Sequence, residues 1–279
     1  MAKKSLQLDE IGYWSEIKLD IVKQYASAYS TILARQAAIK GHLYVDAFAG
    51  AGTHISKTTG EQIAGSPVNA MAIRPPFTEL HFIDLDGTRT AELQRLAGGD
   101  PRVTVHRGDC NEVLLRKVFP RCLYSGYRRA LCLLDPYKLN VNWDVLRTAG
   151  AMKSIEVFYN FMIMDANMNV FMKDPSKVTP EQAARMDAVW GDESWRSAVY
   201  QSVPTLFGNM EEKATNEAIA EAFRNRLKNA AGFTYVPPPM PMRNSRGAVV
   251  YYLYFASQNS VGGKIVGQIF DKYRNRGVM

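Results

Sequence analysis

A chain of 279 residues with 47% hydrophobic content is long enough to bury a full core, which excludes disorder as its default state. No run reaches the roughly eighteen apolar residues of a membrane span, and Met1-Ala2-Lys3-Lys4-Ser5 leads into polar sequence rather than an apolar signal core, so the expectation is a cytoplasmic protein with no membrane association. The net charge of +7 permits an acidic partner without requiring one, and Cys110, Cys122 and Cys132 form no CxxC pair, which suits buried thiols better than disulfides or a metal site.

In chain order, Ile17, Ile21, Val22, Tyr25, Tyr29, Ile32 and Leu33 recur mostly three or four residues apart and predict an amphipathic helix over residues 14–39, ended by Gly41. Short apolar runs follow at His42–Phe48, Leu80–Ile83, Val103–His106, Ala130–Leu134 and Ile155–Phe161. They read as strands covered on both faces, because such strands are apolar throughout instead of alternating. Between them lie helix-length segments at Pro67–Arg74, with Ser66 as N-cap, and at Gly87–Ala97, Glu112–Val118 and Trp143–Thr148. This alternation predicts a doubly wound, mostly parallel, Rossmann-like α/β sheet whose ligand site lies beyond the carboxyl ends of its strands.

From about Asp165 to Phe233 the pattern turns to helical periods without strand signals, including Pro180–Trp190 and Lys213–Asn229. The predicted organisation is therefore an α/β domain of residues 1–164 and 234–279 with a helical insertion over 165–233. After the stiff Pro237-Pro238-Pro239 connector, Gly247–Ser257 reads as a late strand and Gly263–Tyr273 as the last helix.

The first strand run ends Val45-Asp46-Ala47-Phe48-Ala49-Gly50-Ala51-Gly52-Thr53, where two glycines let the backbone turn tightly and approach a ligand. A dinucleotide motif would need a third glycine leading straight into a helix. Ile55 stands there instead, and Ser56–Gly65 reads as loop. Acids close the next strands. Asp84 is placed to accept from ribose hydroxyls and Asp109 from an adenine amino group, and either could instead cap the helix that follows. The fourth strand ends Leu134-Asp135-Pro136-Tyr137, where an acid, a carbonyl and a ring side by side can hold a planar amine, or simply form a proline turn with a core tyrosine. Residues 101–140 carry eight bases against three acids, with Phe119, Tyr124 and Tyr127 interleaved, the pattern either of a face that grips nucleic acid or of a solvated surface.

Taken together, Trp14 to Lys18, Asp46-x-Phe48-x-Gly50-x-Gly52, Gly65-Ser66-Pro67, Phe82-Ile83-Asp84, Leu134-Asp135-Pro136-Tyr137, Arg243-Asn244 and the Tyr251–Ser257 strand resemble the three-Cys-motif partner proteins, TcmP, over nearly the whole chain. The resemblance implies a class I S-adenosylmethionine-dependent methyltransferase-like fold, with seven strands, and association with a separate three-Cys-motif protein that resembles radical S-adenosylmethionine enzymes. The cysteines of this chain are not that motif. The fourth-strand run is also similar to the Asp/Asn-Pro-Pro-Tyr/Phe signature of amino-group methyltransferases acting on nucleic acids, although Tyr137 follows Pro136 directly and the second proline is missing. Trp14-x-x-x-Lys18 is similar to the start of some adenine methyltransferases, where a lysine meets the cofactor carboxylate.

The resulting expectation is an S-adenosylmethionine site at Lys18, Asp46, Phe48, Gly50, Gly52, Asp84 and Asp109. Asp135, Pro136 and Tyr137 would hold an amino nitrogen of a DNA or RNA base. The alternative is a non-catalytic binding subunit of the three-Cys-motif partner.

Overall fold

The structure is a computed structural model and describes residues 8–205 and 208–274; the polar start at Met1–Ser5 and the outermost ends of both parts of the α/β domain lie outside them. The first half contains β1 (Asp9–Ile11), α1 (Tyr13–Ala34), β2 (Gly41–Asp46), β3 (Thr53–Ser56), β4 (Gln62–Ala64), α2 (Ser66–Ala72), β5 (Glu79–Asp84), α3 (Gly87–Ala97), β6 (Val103–Arg107), α4 (Cys110–Val113) and β7 (Arg128–Leu134). The second contains α5 (Trp143–Met152), β8 (Ile155–Phe161), α6 (Ile163–Asn169), α7 (Pro180–Trp190), α8 (Trp195–Val199), β9 (Tyr200–Thr205), β10 (Gly208–Lys213), α9 (Asn216–Asn229), β11 (Met240–Arg243), β12 (Val249–Ala256) and α10 (Ser260–Arg274).

A seven-stranded sheet in the order β11-β12-β8-β7-β2-β5-β6 organises the chain. The pairings β5–β6, β2–β5, β2–β7 and β7–β8 are parallel, whereas β12 runs antiparallel to both β8 and β11. The sheet is therefore mixed, with its reversal confined to one strand. Side chains alternate between two separate cores. Leu43, Val45, Cys132 and Val157 face one, with α5, α7 and α9 packed over them. Tyr44, Leu131, Leu133 and Phe158 face the other, under α1, α2 and α10. Both faces are covered, which is why β2, β7 and β8 are apolar almost throughout.

Several local expectations are corrected. The first helix stops at Ala34, and Gly41 opens β2 rather than ending the helix. The N-cap of α2 is Gly65, and Ser66 is already helical. The stretch after Gly52 contains β3 and β4, which join β1 in a small three-stranded sheet. Residues 165–233 are not purely helical, because β9 and β10 pair as an antiparallel hairpin; Pro204 and Glu211-Glu212 concealed its strands from the sequence. The predicted α7 keeps its bounds, with Thr179 and Gln182 forming a reciprocal capping box ahead of Pro180.

Helices from 165–233 share a core with the sheet. Phe223 of α9 stacks on Phe161 of β8 with ring centroids 4.7 Å apart, and also meets Trp143, Trp190 and Tyr254. Phe223→Ala should therefore cost about 3–5 kcal/mol. Denaturant unfolding followed by far-UV circular dichroism should show a single transition displaced to lower denaturant. A separate early transition, with the main one unmoved, would mean that α9 folds independently of the sheet.

Candidate functional site

Five strands, β2, β5, β6, β7 and β8, point their carboxyl ends the same way, and a cleft of about 210 Å³ opens there. It is bounded by Lys18 of α1, Phe48 and Gly50 of the glycine loop, His54 of β3, and Asp135, Pro136, Tyr137 and Tyr251. The loop can turn here because Gly50 and Gly52 hold φ of 61° and 83°, in the left-handed region that favours glycine. No atom lies within 4 Å of where a Gly50 Cβ would stand, whereas a Cβ on Gly52 would press to 2.8 Å from Leu96. Gly50 thus leaves space open, and Gly52 allows the loop to pack against α3.

Lys18 is buried, and its ammonium forms an ion pair with the Asp135 carboxylate. Burial pulls its pKa down, but Asp135 and Tyr251 more than offset this and raise it above the usual lysine range, so the charge persists. The other Asp135 oxygen accepts from Asn160 Nδ2. Asp135 is therefore already engaged on both oxygens, a change from the open acceptor that the sequence suggests. Tyr137 is 62% exposed on the rim, and its hydroxyl donates to Asp9 at 3.0 Å; Asp9 also pairs with Arg89. This corrects the alternative of a core tyrosine.

Asp46 ends β2 under the cleft with no solvent exposure. Phe48 N donates to one of its oxygens at 3.2 Å, and the other has no partner of good geometry, although the Ser66 hydroxyl lies beside it. Burial pushes its pKa up to about 7, with Ser66 lowering it and nearby Asp135 raising it. Asp84 braces the glycine loop by accepting from Gly50 N at 3.0 Å and from Asp86 N at 2.8 Å. Asp109 caps α4 through one oxygen, which accepts from Asn111 N at 3.0 Å and Glu112 N at 3.1 Å, and its side chain is exposed. Thus Lys18, Phe48, Gly50 and the Asp135-Pro136-Tyr137 run meet at the cleft. Asp46 lies beneath it, Gly52 and Asp84 behind the loop, and Asp109 outside it.

Sequence reasoning missed His54, Asn160 and Tyr251. Together with Asp46 they present four buried polar atoms without a partner of good geometry, Asp46 Oδ2, His54 Nδ1, Asn160 Oδ1 and the Tyr251 hydroxyl, although the Ser15 hydroxyl lies beside that of Tyr251. Asn160 carried a signal, as an amide inside an otherwise apolar strand run. His54 and Tyr251 carried none, because His54 fell in no predicted element and the aromatic residues of β12 look alike.

The basic residues of 101–140 do not form one patch. Arg102, Arg128 and Arg129 lie at the amino ends of β6 and β7, whereas Arg107 is the last residue of β6 and Lys138 follows the carboxyl end of β7. Both Arg121 and Arg128 are paired with Glu79.

No family model matches the chain, and no curated protein matches it in sequence. Among solved structures it is similar to protein LPL1258 of Legionella pneumophila, described under the family model DUF519, at 12% identity and a TM-score of 0.56, over 95% of this chain and 94% of that one. It also matches an S-adenosylmethionine-dependent methyltransferase from Clostridium acetobutylicum at 9% identity and a TM-score of 0.42, over 87% and 92% of the two chains. The likeness to LPL1258 shows the fold, a doubly wound seven-stranded mixed sheet with helices on both faces. The strand order agrees: β6-β5-β2-β7-β8 repeats the 3-2-1-4-5 order of doubly wound sheets, and the reversed β12 stands where a dinucleotide-binding sheet continues in parallel. At these identities the likeness extends to the fold alone.

Asp46 gives this end of the sheet a pH signature. Its folded pKa, about 7, lies above the ordinary carboxylate value, so its contribution to stability is complete below about pH 4 and is lost as pH rises through 7. Asp46→Asn should therefore gain stability relative to the parent between pH 5 and pH 8, by ~2–3 kcal/mol. Urea unfolding at both pH values measures it. A difference that stays constant with pH would show that Asp46 is ionised throughout.

Proposed function

We propose that this chain is an S-adenosylmethionine-dependent methyltransferase that acts on an amino nitrogen of a base in DNA or RNA and works with a three-Cys-motif partner. The observation that carries the reading is a cleft at the carboxyl end of a doubly wound sheet, with buried polar atoms of poor hydrogen-bonding geometry at His54 and Tyr251 on its wall and at Asp46 and Asn160 just behind it. Burying such an atom without a partner costs about 1–3 kcal/mol, so their grouping marks a place where ligand groups complete the bonding.

The residues fit the cofactor's amino-acid end. Lys18 offers a cation to a carboxylate, while Asp46 Oδ2 and Asn160 Oδ1 can accept from an ammonium. A cleft of about 210 Å³ falls below the ~300 Å³ at which ligand pockets usually begin, so it suits that end and leaves the nucleoside to lie over the Asp84 side. Asp84 keeps acceptor capacity for ribose hydroxyls, and the second Asp109 oxygen is free of the capping bonds. When bound, S-adenosylmethionine supplies an electrophilic methyl group. The chain's own part is positioning: Asp135 and the Pro136 carbonyl hold the acceptor amine, and Tyr137 on the rim offers a ring to a base that is single-stranded or turned out of a duplex.

A second reading, a binding subunit that keeps the fold while the partner performs the chemistry, is favoured by one observation. Both Asp135 oxygens already accept from Lys18 and Asn160, which weakens their hold on an incoming amine.

Labelled S-adenosylmethionine and total cellular nucleic acid, incubated with the protein alone and with the partner, distinguish the two. The methyltransferase reading expects nuclease-sensitive label. It also expects Asp135→Asn to lower turnover about a hundredfold while cofactor affinity stays within a few fold. Lys18→Met should weaken cofactor binding by about tenfold or more, measured by calorimetry. Cofactor binding without label under either condition would favour the binding subunit, and absence of cofactor binding would end the methyltransferase reading.

A further inference from the structure

A second cavity, of about 420 Å³, opens at the opposite end of the sheet, where β7 and β8 begin. Nothing in the proposed methyl transfer uses it. Tyr25 and Tyr29 of α1, with Tyr124 and Tyr235, bring aromatic rings to its walls, and Ile32 and Ile265 add aliphatic surface. Its polar groups are unevenly matched.

The Tyr29 hydroxyl is buried and has no hydrogen-bond partner, although the residue is only 6% exposed. Arg129 lies over the Tyr124 ring at 3.8 Å and bonds only to the backbone carbonyls of Tyr124 and Arg128, and neither it nor Lys153 has a carboxylate partner among the described residues. The first turn of α10, a helix of 15 residues, borders the cavity through Ser260, Val261 and Gly262; Asn259 caps it by accepting from Val261 N at 2.9 Å, which leaves the N–H groups of Ser260 and Gly262 and the helix's partial positive charge on that side. The opposing acid is Glu156. Its oxygens accept from the Tyr25 and Ser257 hydroxyls, so both face protein donors; burial raises its pKa and those two bonds lower it by less.

We propose that this cavity is a second ligand site for a small organic anion with a planar ring, its charged group held by Arg129, the Tyr29 hydroxyl and the amino end of α10, and its ring against the tyrosines. A carboxylate and a phosphate monoester share this recognition chemistry, because both accept from a guanidinium, a phenol and helix N–H groups. A volume of about 420 Å³ lies within the ~300–1,000 Å³ range of small-molecule pockets.

The test uses the full chain, with benzoate and cytidine monophosphate as probes and benzamide and cytidine as their uncharged counterparts. Calorimetry is run with and without S-adenosylhomocysteine so that binding in the other cleft is separated. The anions should bind, and each uncharged counterpart should bind at least about tenfold more weakly. Arg129→Met should lose a similar factor. Tyr29→Phe should weaken binding by about threefold or more while melting no lower than the parent, because the change removes an unsatisfied hydroxyl and little else. Binding of one anion alone upholds the site and assigns the head group. No heat from either anion at millimolar concentration, equal binding of the uncharged counterparts, or unaltered affinity in both variants would overturn the proposal.

Discussion

A lysine ammonium buried at the end of a sheet must be answered by a carboxylate, and the contact between Lys18 and Asp135 organises the carboxyl end of this molecule. It ties α1 to the end of β7, and Asn160 ties the same carboxylate to β8. Withdrawing one member of such a pair leaves an uncompensated buried charge, typically at a cost of about 3–5 kcal/mol. An apolar pair could hold these elements together equally well, so stability alone gives no reason for the charge. What the pair adds is a fixed ammonium beside the glycine loop and a carboxylate held in one orientation next to Pro136.

The reversed strand matters for the same cleft. A parallel strand brings only its last residues to the carboxyl end, but β12 runs the other way, and Tyr252 pairs with Phe161 at the end of β8. Its early residues therefore reach the site. Tyr251 lines the cleft with its ring 5.8 Å from the Lys18 ammonium, and its hydroxyl is buried there beside that of Ser15. The mixed character of the sheet is thus part of how the cleft is walled.

The parallel part of the fold was legible because burial on both faces writes itself into continuous apolar runs; β8 occupies the predicted Ile155–Phe161 without change. The small sheet of β1, β3 and β4 was not, since three- and four-residue strands such as Gln62–Ala64 are too short for any period to show. Pairing between β1 and β3 also joins residues far apart in the chain, such as Asp9 and His54. At the site, glycine and acid positions at strand ends were readable because a turn and a parallel sheet dictate them. The engagements of those acids were not, because Lys18 and Asp135 lie 117 residues apart and only the packing of α1 brings them together.

Polar atoms left unpaired in a core are informative because folding offers so many ways to avoid them. Six such side-chain atoms occur among the described residues: His54 and Tyr251 line the carboxyl-end cleft, Asp46 and Asn160 stand directly behind its lining residues Phe48 and Asp135, and Tyr29 lines the cavity at the amino end. Random imperfection in packing would scatter them through the core, which has abundant apolar substitutes of the same shape; phenylalanine would fill the Tyr29 position without a hydroxyl to satisfy. Their grouping beside a buried lysine at one end and an unpaired arginine at the other makes the two ends chemically different sites on one rigid sheet. The strands that join them, β7 and β8, are packed on both faces, so occupancy at one end can reach the other only through small shifts of a close-packed core.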